Sequence, residues 1–442
     1  MGLELGAFGP AIAEWMQAFA TGPATIGLVF SASSVGAMAA TLGYAPAVAR
    51  HGLRTVLVAG AALFGLGLGA AAAAVSPAML LAGFVAAGAG FGALDSGINH
   101  LYVRLFPGAR AVARNLVHLF FAIGAAAAPV TMALVLPAVG WRAAYATLAA
   151  AGLVLAPALY VTCPVAPALR QGEPARATAA WRWLGAVLAP AVAMALYVGV
   201  EVTVSGWVYS FLAQEAQAPP VLAGAGVSVF WAGLAAGRLA LGPAVERAGY
   251  RASLVVGAGV AGASLLAAVL PVGPVAAVAL LGLCGLAMSI IFPTLMALAS
   301  TRVPPAEEAT AAATAVMLLA ASAGNMTLPA LAGTAAGWAD LGVVIAALGL
   351  LLPAGFVLTL APGASTVPQA PGGVRHDSVR ASSVPVRRTR PWARQSQARP
   401  ADVQTAAASP SRASSAPSDS APSEALKSEA DGLNSRRIAS SQ

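Results

Sequence analysis

Two carboxylic acids stand inside otherwise apolar stretches of this chain. Asp95 and Asn99 are four residues apart and share one helix face, with Ser96 and His100 beside them and Gly90 and Gly92 one turn earlier. Glu201 follows Tyr197 at the same spacing, with Gly199 and Gly206 able to loosen the helix around it. A carboxylate at hydrocarbon depth costs roughly 2.5–3.5 kcal/mol, so it normally faces a partner or a water-filled cavity. Burial favours the neutral acid and a nearby donor or cation the charged one. Asp95 can therefore exchange a proton as a cavity opens first to one side and then to the other, and Glu201 is the second candidate for proton coupling. The other reading of Asp95 is a structural hydrogen bond to a neighbouring helix.

The remaining polar side chains of the apolar stretches are candidates for holding a solute. Tyr197 lies on the face of Glu201, and Trp207 offers a flat ring for stacking or, equally, an aromatic anchor at the membrane interface. Asn115 and His118 sit three apart, and His118 titrates near neutrality when unperturbed. A gate, a proton relay and a satisfied core histidine are all open for it. Asn325 is a neutral hydrogen-bonding group that either touches solute or joins helices.

The elements that must position these residues follow from composition. The chain is 59% hydrophobic and 9% charged, against roughly 25% charged for a soluble domain. Helices crossing a membrane need roughly 20 apolar residues, and twelve such runs are present. They cover 2–19, 24–46, 53–75, 77–106, 110–139 and 141–163, then 183–212, 221–245, 252–270, 274–300, 310–334 and 341–360. The expected fold is all-α and integral to the membrane. The first run is barely long enough and contains Glu4 and Glu14. Either a segment precedes Met1, or Met1 is the start and Glu14 lies at the outer interface.

Arginine placement orients the chain. Arg50, Arg54, Arg104, Arg110, Arg114, Arg170, Arg176, Arg182, Arg238, Arg247, Arg251 and Arg302 all fall at connections of one side, and Arg142 alone falls on the other. By the positive-inside rule both termini are cytoplasmic, in a plasma (inner) membrane surrounded by lipid. The net charge of +8 divides into about +3 before residue 363 and +5 after it. The high pI therefore reflects a basic cytoplasmic face and gives no argument for nucleic-acid binding.

An internal repeat halves the chain. Arg50-His-Gly-Leu-Arg54 returns as Arg247-Ala-Gly-Tyr-Arg251, 197 positions on, and Gly124-x4-Pro129 returns as Gly324-x4-Pro329, 200 positions on. Two similar offsets predict two pseudo-symmetric six-helix bundles, 1–163 and 183–362. The polar stretch 164–182 is expected to join them on the cytoplasmic side. Residues 363–442 are rich in Ser, Ala, Pro and Arg without apolar periodicity, and are expected to be a disordered cytoplasmic tail.

Enzymatic chemistry has no carrier here. Cys163 and Cys284 stand alone, without metal-ligand spacing. G-x-S-x-G, H-E-x-x-H and P-loop patterns are missing. The expectation is a transporter without cofactor or metal, not an enzyme, whose partners are a small solute and protons.

At these same residues the chain resembles the major facilitator superfamily, over nearly all of 2–362. Gly242-Pro-Ala-Val-Glu246-Arg247-Ala-Gly249-Tyr-Arg251 is similar to its cytoplasmic signature, while the first copy keeps Arg50, Gly52 and Arg54 but has Ala45 and Ala49 for the glycine and the acid. The resemblance implies a cytoplasmic gate at Arg50, Arg54, Glu246, Arg247 and Arg251, and a monomer. Within the superfamily it looks like the fucose:proton-symporter branch, on Gly92 to Asn99, Asn115 to Gly124, Gly140-Trp-Arg142, Tyr197 to Glu201 and Phe292-Pro-Thr294. That implies a sugar or polyol as solute and coupling at Asp95. In the fucose symporter a first-span acid also matters, and this chain has Gly6 there with Glu4 nearby. The alternative function is an efflux carrier for amphipathic compounds, against which the polar set Asp95, Asn99, Glu201 and Asn325 argues.

Overall fold

The computed structural model describes residues 1–105, 110–163, 177–304 and 306–360, so the expected tail and residues 164–176 of the expected linker lie outside the described residues. Among the described residues no strand occurs. In chain order the helices are α1 (Gly2–Ala18), α2 (Pro23–His51), α3 (Leu53–Ala72), α4 (Pro77–Leu105), α5 (Arg110–Thr162), α6 (Ala177–Gln214), α7 (Pro220–Ala240), α8 (Gly242–Ala248), α9 (Tyr250–Ala268), α10 (Pro274–Met288), α11 (Ile291–Ser300), α12 (Glu307–Ala335) and α13 (Leu341–Leu360).

Nine of the described helices are long and apolar enough to cross a membrane. One of them, α5, turns at Gly140 (φ 73°, ψ 164°) and contributes two spans, as its length requires. With α1 and α13 the spans number twelve. The tenth is α10 followed by α11. Pro293 has no N–H to offer the carbonyl of Ser289 and its ring crowds that carbonyl, so the helix breaks there.

Small residues set how closely the helices pack. A Cβ on Gly36 would run into the Val85 carbonyl and one on Gly88 into Ser33, so α2 and α4 touch backbone to backbone. In the second half Gly285 meets Phe230 and Gly262 meets Gly349 in the same way. Outward-facing Leu66, Val154, Val161, Leu239 and Leu350 are exposed, as expected where lipid is the solvent.

The repeat is visible in the backbone. Gly52 (φ 80°, ψ 156°) and Gly249 (φ 81°, ψ 157°) take one conformation at the two R-x-G-x-R turns, with φ in the region that favours glycine. Gly124 packs on α1 at Leu3 and Gly324 packs on α6 at Ala195, so the fifth span meets the first as the eleventh meets the seventh. The equivalent cross-contacts also recur: Gly224 of α7 lies against the Pro129 carbonyl, and Gly27 of α2 against Pro329 and Gly333.

Arg142, the one arginine away from the others, has a structural job. Its Nη1 donates to the carbonyls of Ala72 (3.0 Å) and Ala74 (2.7 Å), closing the end of α3, and its guanidinium lies 4.4 Å from the Trp141 ring. In the second half a carboxylate closes the opposite kind of terminus, because Glu215 accepts from the N–H groups of Leu341 (2.5 Å) and Gly342 (2.8 Å) at the start of α13. Arg142→Ala is expected to cost about 1.5 kcal/mol, the lower end for hydrogen bonds to a charged group, because the site is partly exposed. A thermal melt in detergent measures it, and an unchanged midpoint would remove the capping role.

The two halves meet at the end away from the arginine-rich connections. There Gly27 stands opposite Gly333, Gly9 opposite Gly206, Trp207 Nε1 donates to the Pro329 carbonyl (3.1 Å) and Ser31 Oγ to the Met326 carbonyl (2.6 Å). Toward the arginine-rich end the surfaces open. Leu42 and Gly43 of α2 are exposed, and a shallow groove runs along Thr310, Thr314 and Leu318 of α12.

Candidate functional site: a polar level beneath an aromatic layer

Midway along the bundle, aromatic rings reach across the two halves. Phe91 of α4 meets Phe121 of α5 (6.3 Å between centroids), Phe121 meets Trp231 of α7 (6.0 Å), and Trp231 Nε1 donates to Ser205 Oγ of α6 (2.9 Å). Asp95 and Glu201 lie about one turn from this layer on its arginine-rich side, since Asp95 follows Phe91 by four residues and Glu201 precedes Ser205 by four. Four residues of helix rise about 6 Å.

Asp95 is half-buried. Asn99 Nδ2 donates to its backbone carbonyl (2.9 Å) and, at 3.3 Å, to its Oδ1, so the pair on one face is formed as the spacing implies. A turn further on, His100 Nδ1 and the Tyr44 hydroxyl of α2 are 2.8 Å apart. That contact ties α4 to α2 beside the acid.

Glu201 occupies a different environment. It is buried inside the second half, within electrostatic reach of Arg238 on α7 and of Cys284 on α10. Tyr197 is fully buried beside it, within reach of both Glu201 and Arg238, yet its hydroxyl has no hydrogen-bond partner of good geometry. The two acids share a level along the bundle, and the second is walled by its own half.

The other expected residues divide. Trp207 is buried, its indole N–H occupied by Pro329 and its ring pressed against Gly333, so it belongs to the seal between the halves and no solute reaches its face in this conformation. Asn325 is half-buried, flanked by Gly324, which packs on α6, and by Met326, whose carbonyl takes the Ser31 hydroxyl. Asn115 and His118 lie on α5, and their side chains fall outside the described residues. Of the expected gate, Arg54 lies with its guanidinium 4.0 Å from the Tyr160 ring, while Arg50, Glu246, Arg247 and Arg251 are exposed at the end where the halves part.

Two residues carry more than the sequence assigned to them. Arg238 reads as a connection arginine and lies in the last turn of α7, two turns beyond Trp231, half-buried. The signal was its spacing of seven from Trp231, which keeps both on one face. Glu4 is buried within the first half, in electrostatic contact with Tyr145, whose hydroxyl has no partner.

Twelve spans in two related halves, sealed at one end and parted at the other around a polar level, define a membrane transporter. The chain belongs to the Major Facilitator Superfamily, whose family pattern matches residues 1–324 and again 191–399. No curated protein matches it in sequence. Among solved structures it is similar to the nucleoside transporter NupG, with a TM-score of 0.67, 15% identity, 82% of this chain and 95% of that one covered. It is also similar to a bacterial homologue of the human lysosomal transporter Spinster, in an inward-facing and unoccupied conformation, with a TM-score of 0.63, 17% identity, 81% of this chain and 91% of that one covered. At these identities the likeness is one of fold.

Proposed function

We propose that this transporter moves a small polar solute, a sugar or polyol or a nucleoside, by proton-coupled alternating access, with the proton exchanged at Asp95. The observation that carries the reading is the Asp95–Asn99 pair, half-buried one turn beneath the aromatic layer and on the side where the halves part. An acid there is exchangeable with water when the arginine-rich end is open and is cut off from it when that end closes. The aromatic layer suits the flat apolar face of a ring, and Asn99 and Asn325 suit its hydroxyls. The printed identity of NupG as a nucleoside transporter adds nucleosides to the solutes worth testing. The same layer favours, as a second reading, an efflux carrier for amphipathic compounds.

The arginine-rich end is read as cytoplasmic, which makes the present conformation inward-facing in a plasma (inner) membrane. A cysteine introduced at Arg247 is expected to react with a membrane-impermeant thiol reagent only in inverted vesicles. Labelling in right-side-out cells would reverse the orientation.

Proteoliposomes decide the transport reading. Labelled hexoses, polyols and nucleosides are offered with and without an inward proton gradient, to wild type and to Asp95→Asn. At least one solute is expected to accumulate under the gradient, and the variant is expected to lose accumulation at least tenfold while still exchanging that solute. If none moves and an amphipathic dye is expelled, the efflux reading replaces this one.

A further inference from the structure

Hydroxyls on these helices ordinarily turn back onto their own backbone. Ser34 Oγ donates to the Phe30 carbonyl, Thr203 to Gly199 and Thr327 to Ala323, each four residues earlier. Ser31 does otherwise. It reaches from α2 in the first half to the Met326 carbonyl of α12 in the second, at 2.6 Å. Pro329 makes that acceptor available, because it brings no N–H for the Asn325 carbonyl and crowds the turn, so the carbonyls there tilt toward outside donors. Trp207 uses the same turn, at the Pro329 carbonyl. Toward the sealed end Gly333 stands against Pro23 and Gly27. The Ser31 bond therefore sits at the inner edge of the seal, next in sequence to the half-buried Asn325.

The repeat supplies the comparison. Gly27-x3-Ser31 returns 197 positions on as Gly224-x3-Ser228, and Gly224 lies against the Pro129 carbonyl as Gly27 lies against that of Pro329. At this second crossing Ser228 Oγ is buried with no partner among the described residues. The fifth span has Ala125 and Ala126 where the eleventh, 200 positions on, has Asn325 and Met326. What joins the halves there is the ring contact between Phe121 and Trp231. The amide and the crossing bond thus occur together in one copy, and the other copy has neither.

We infer that Ser31 is a positioning residue for alternating access: its bond to Met326 latches the sealed end, and a solute held by Asn325 pulls on the same turn of α12. Solute and seal are then coupled across the α2–α12 crossing and not across α5–α7. The coupling rests on the transport reading above, and the latch rests on the bond alone. A hydrogen bond made in one conformation and lost in the other shifts the balance between them by its net worth, about two- to tenfold.

The test uses the full chain with a cysteine introduced at Ala330, inside the seal, as background. Labelling by an impermeant thiol reagent is expected to rise about threefold or more in Ser31→Ala, to stay near the background in Ser31→Thr, which keeps the donor, and to be unmoved in Ser228→Ala. No rise in Ser31→Ala would remove the latch. An equal rise in Ser228→Ala would make the effect a general loosening and overturn the asymmetry. In proteoliposomes, adding the hexose, polyol or nucleoside that wild type transports is expected to change the labelling at least twofold. That response should vanish in Ser31→Ala, which still exchanges the solute, and persist in Ser228→Ala. A response that survives Ser31→Ala would overturn the coupling. Should wild type transport none of these solutes, the function reading falls alone and the labelling series still decides the latch.

Discussion

Gly333→Leu is expected to leave the protein folded and to reduce transport at least tenfold, by wedging open the end that is now sealed. A Cβ at this position would stand 2.7 Å from the Pro23 carbonyl, 2.7 Å from the Trp207 ring and 3.1 Å from the Gly27 Cα, and the rest of a leucine has nowhere to go. Pro23 and Gly27 belong to α2 and lie across the interface, so two of the three clashes push the halves apart, while the third falls on Trp207 of the same half. Overpacking inside a core typically costs about 1–3 kcal/mol; here it is relieved by moving the halves apart. The measurement is labelling of a cysteine introduced at Ala330, in the same seal, with an impermeant thiol reagent. Labelling should rise severalfold in the Gly333→Leu background, and both native cysteines are buried, which keeps the background low. Unchanged labelling with transport intact would show that this contact does not govern closure.

The second large effect is expected where the same residue type lies within a half. A Cβ on Gly324 would run into the Ala195 carbonyl, so Gly324→Val should yield no monodisperse protein on size exclusion after extraction. Its counterpart is milder, because a Cβ on Gly124 would meet the Leu3 nitrogen at 3.0 Å. Gly124→Val is therefore expected to be recovered in reduced yield. Equal behaviour of the two variants would mean that the two pseudo-symmetric contacts matter alike, against the difference in their geometry.

These contrasts also show where sequence reasoning reaches and where it stops. The twelve spans were legible because apolar length is what a bilayer selects, and the boundary at Gly140 was legible because the run was too long for one crossing. The repeat was legible at Gly52 and Gly249, where only one residue type takes the required φ cheaply. The fate of Trp207 was not, since stacking on solute, anchoring at an interface and bonding to Pro329 all ask for the same indole. That Asp95 and Glu201 share a level was also hidden, because relative depth depends on how the two halves meet, which no local pattern encodes. The Asp95–Asn99 contact, by contrast, needed only helical spacing.

The bond from Arg142 to the end of α3 bears on how the chain is made. Ala72 and Ala74 emerge from the ribosome some seventy residues before the guanidinium that closes their helix. Their carbonyls must wait, hydrated at the membrane surface, until the sixth span arrives. On the orientation proposed above, Arg142 itself has to be carried across against the bias that retains arginines on the near side. Its reward comes only when the third and sixth spans have found each other, so the step that completes insertion of the first bundle is also the step that checks its assembly.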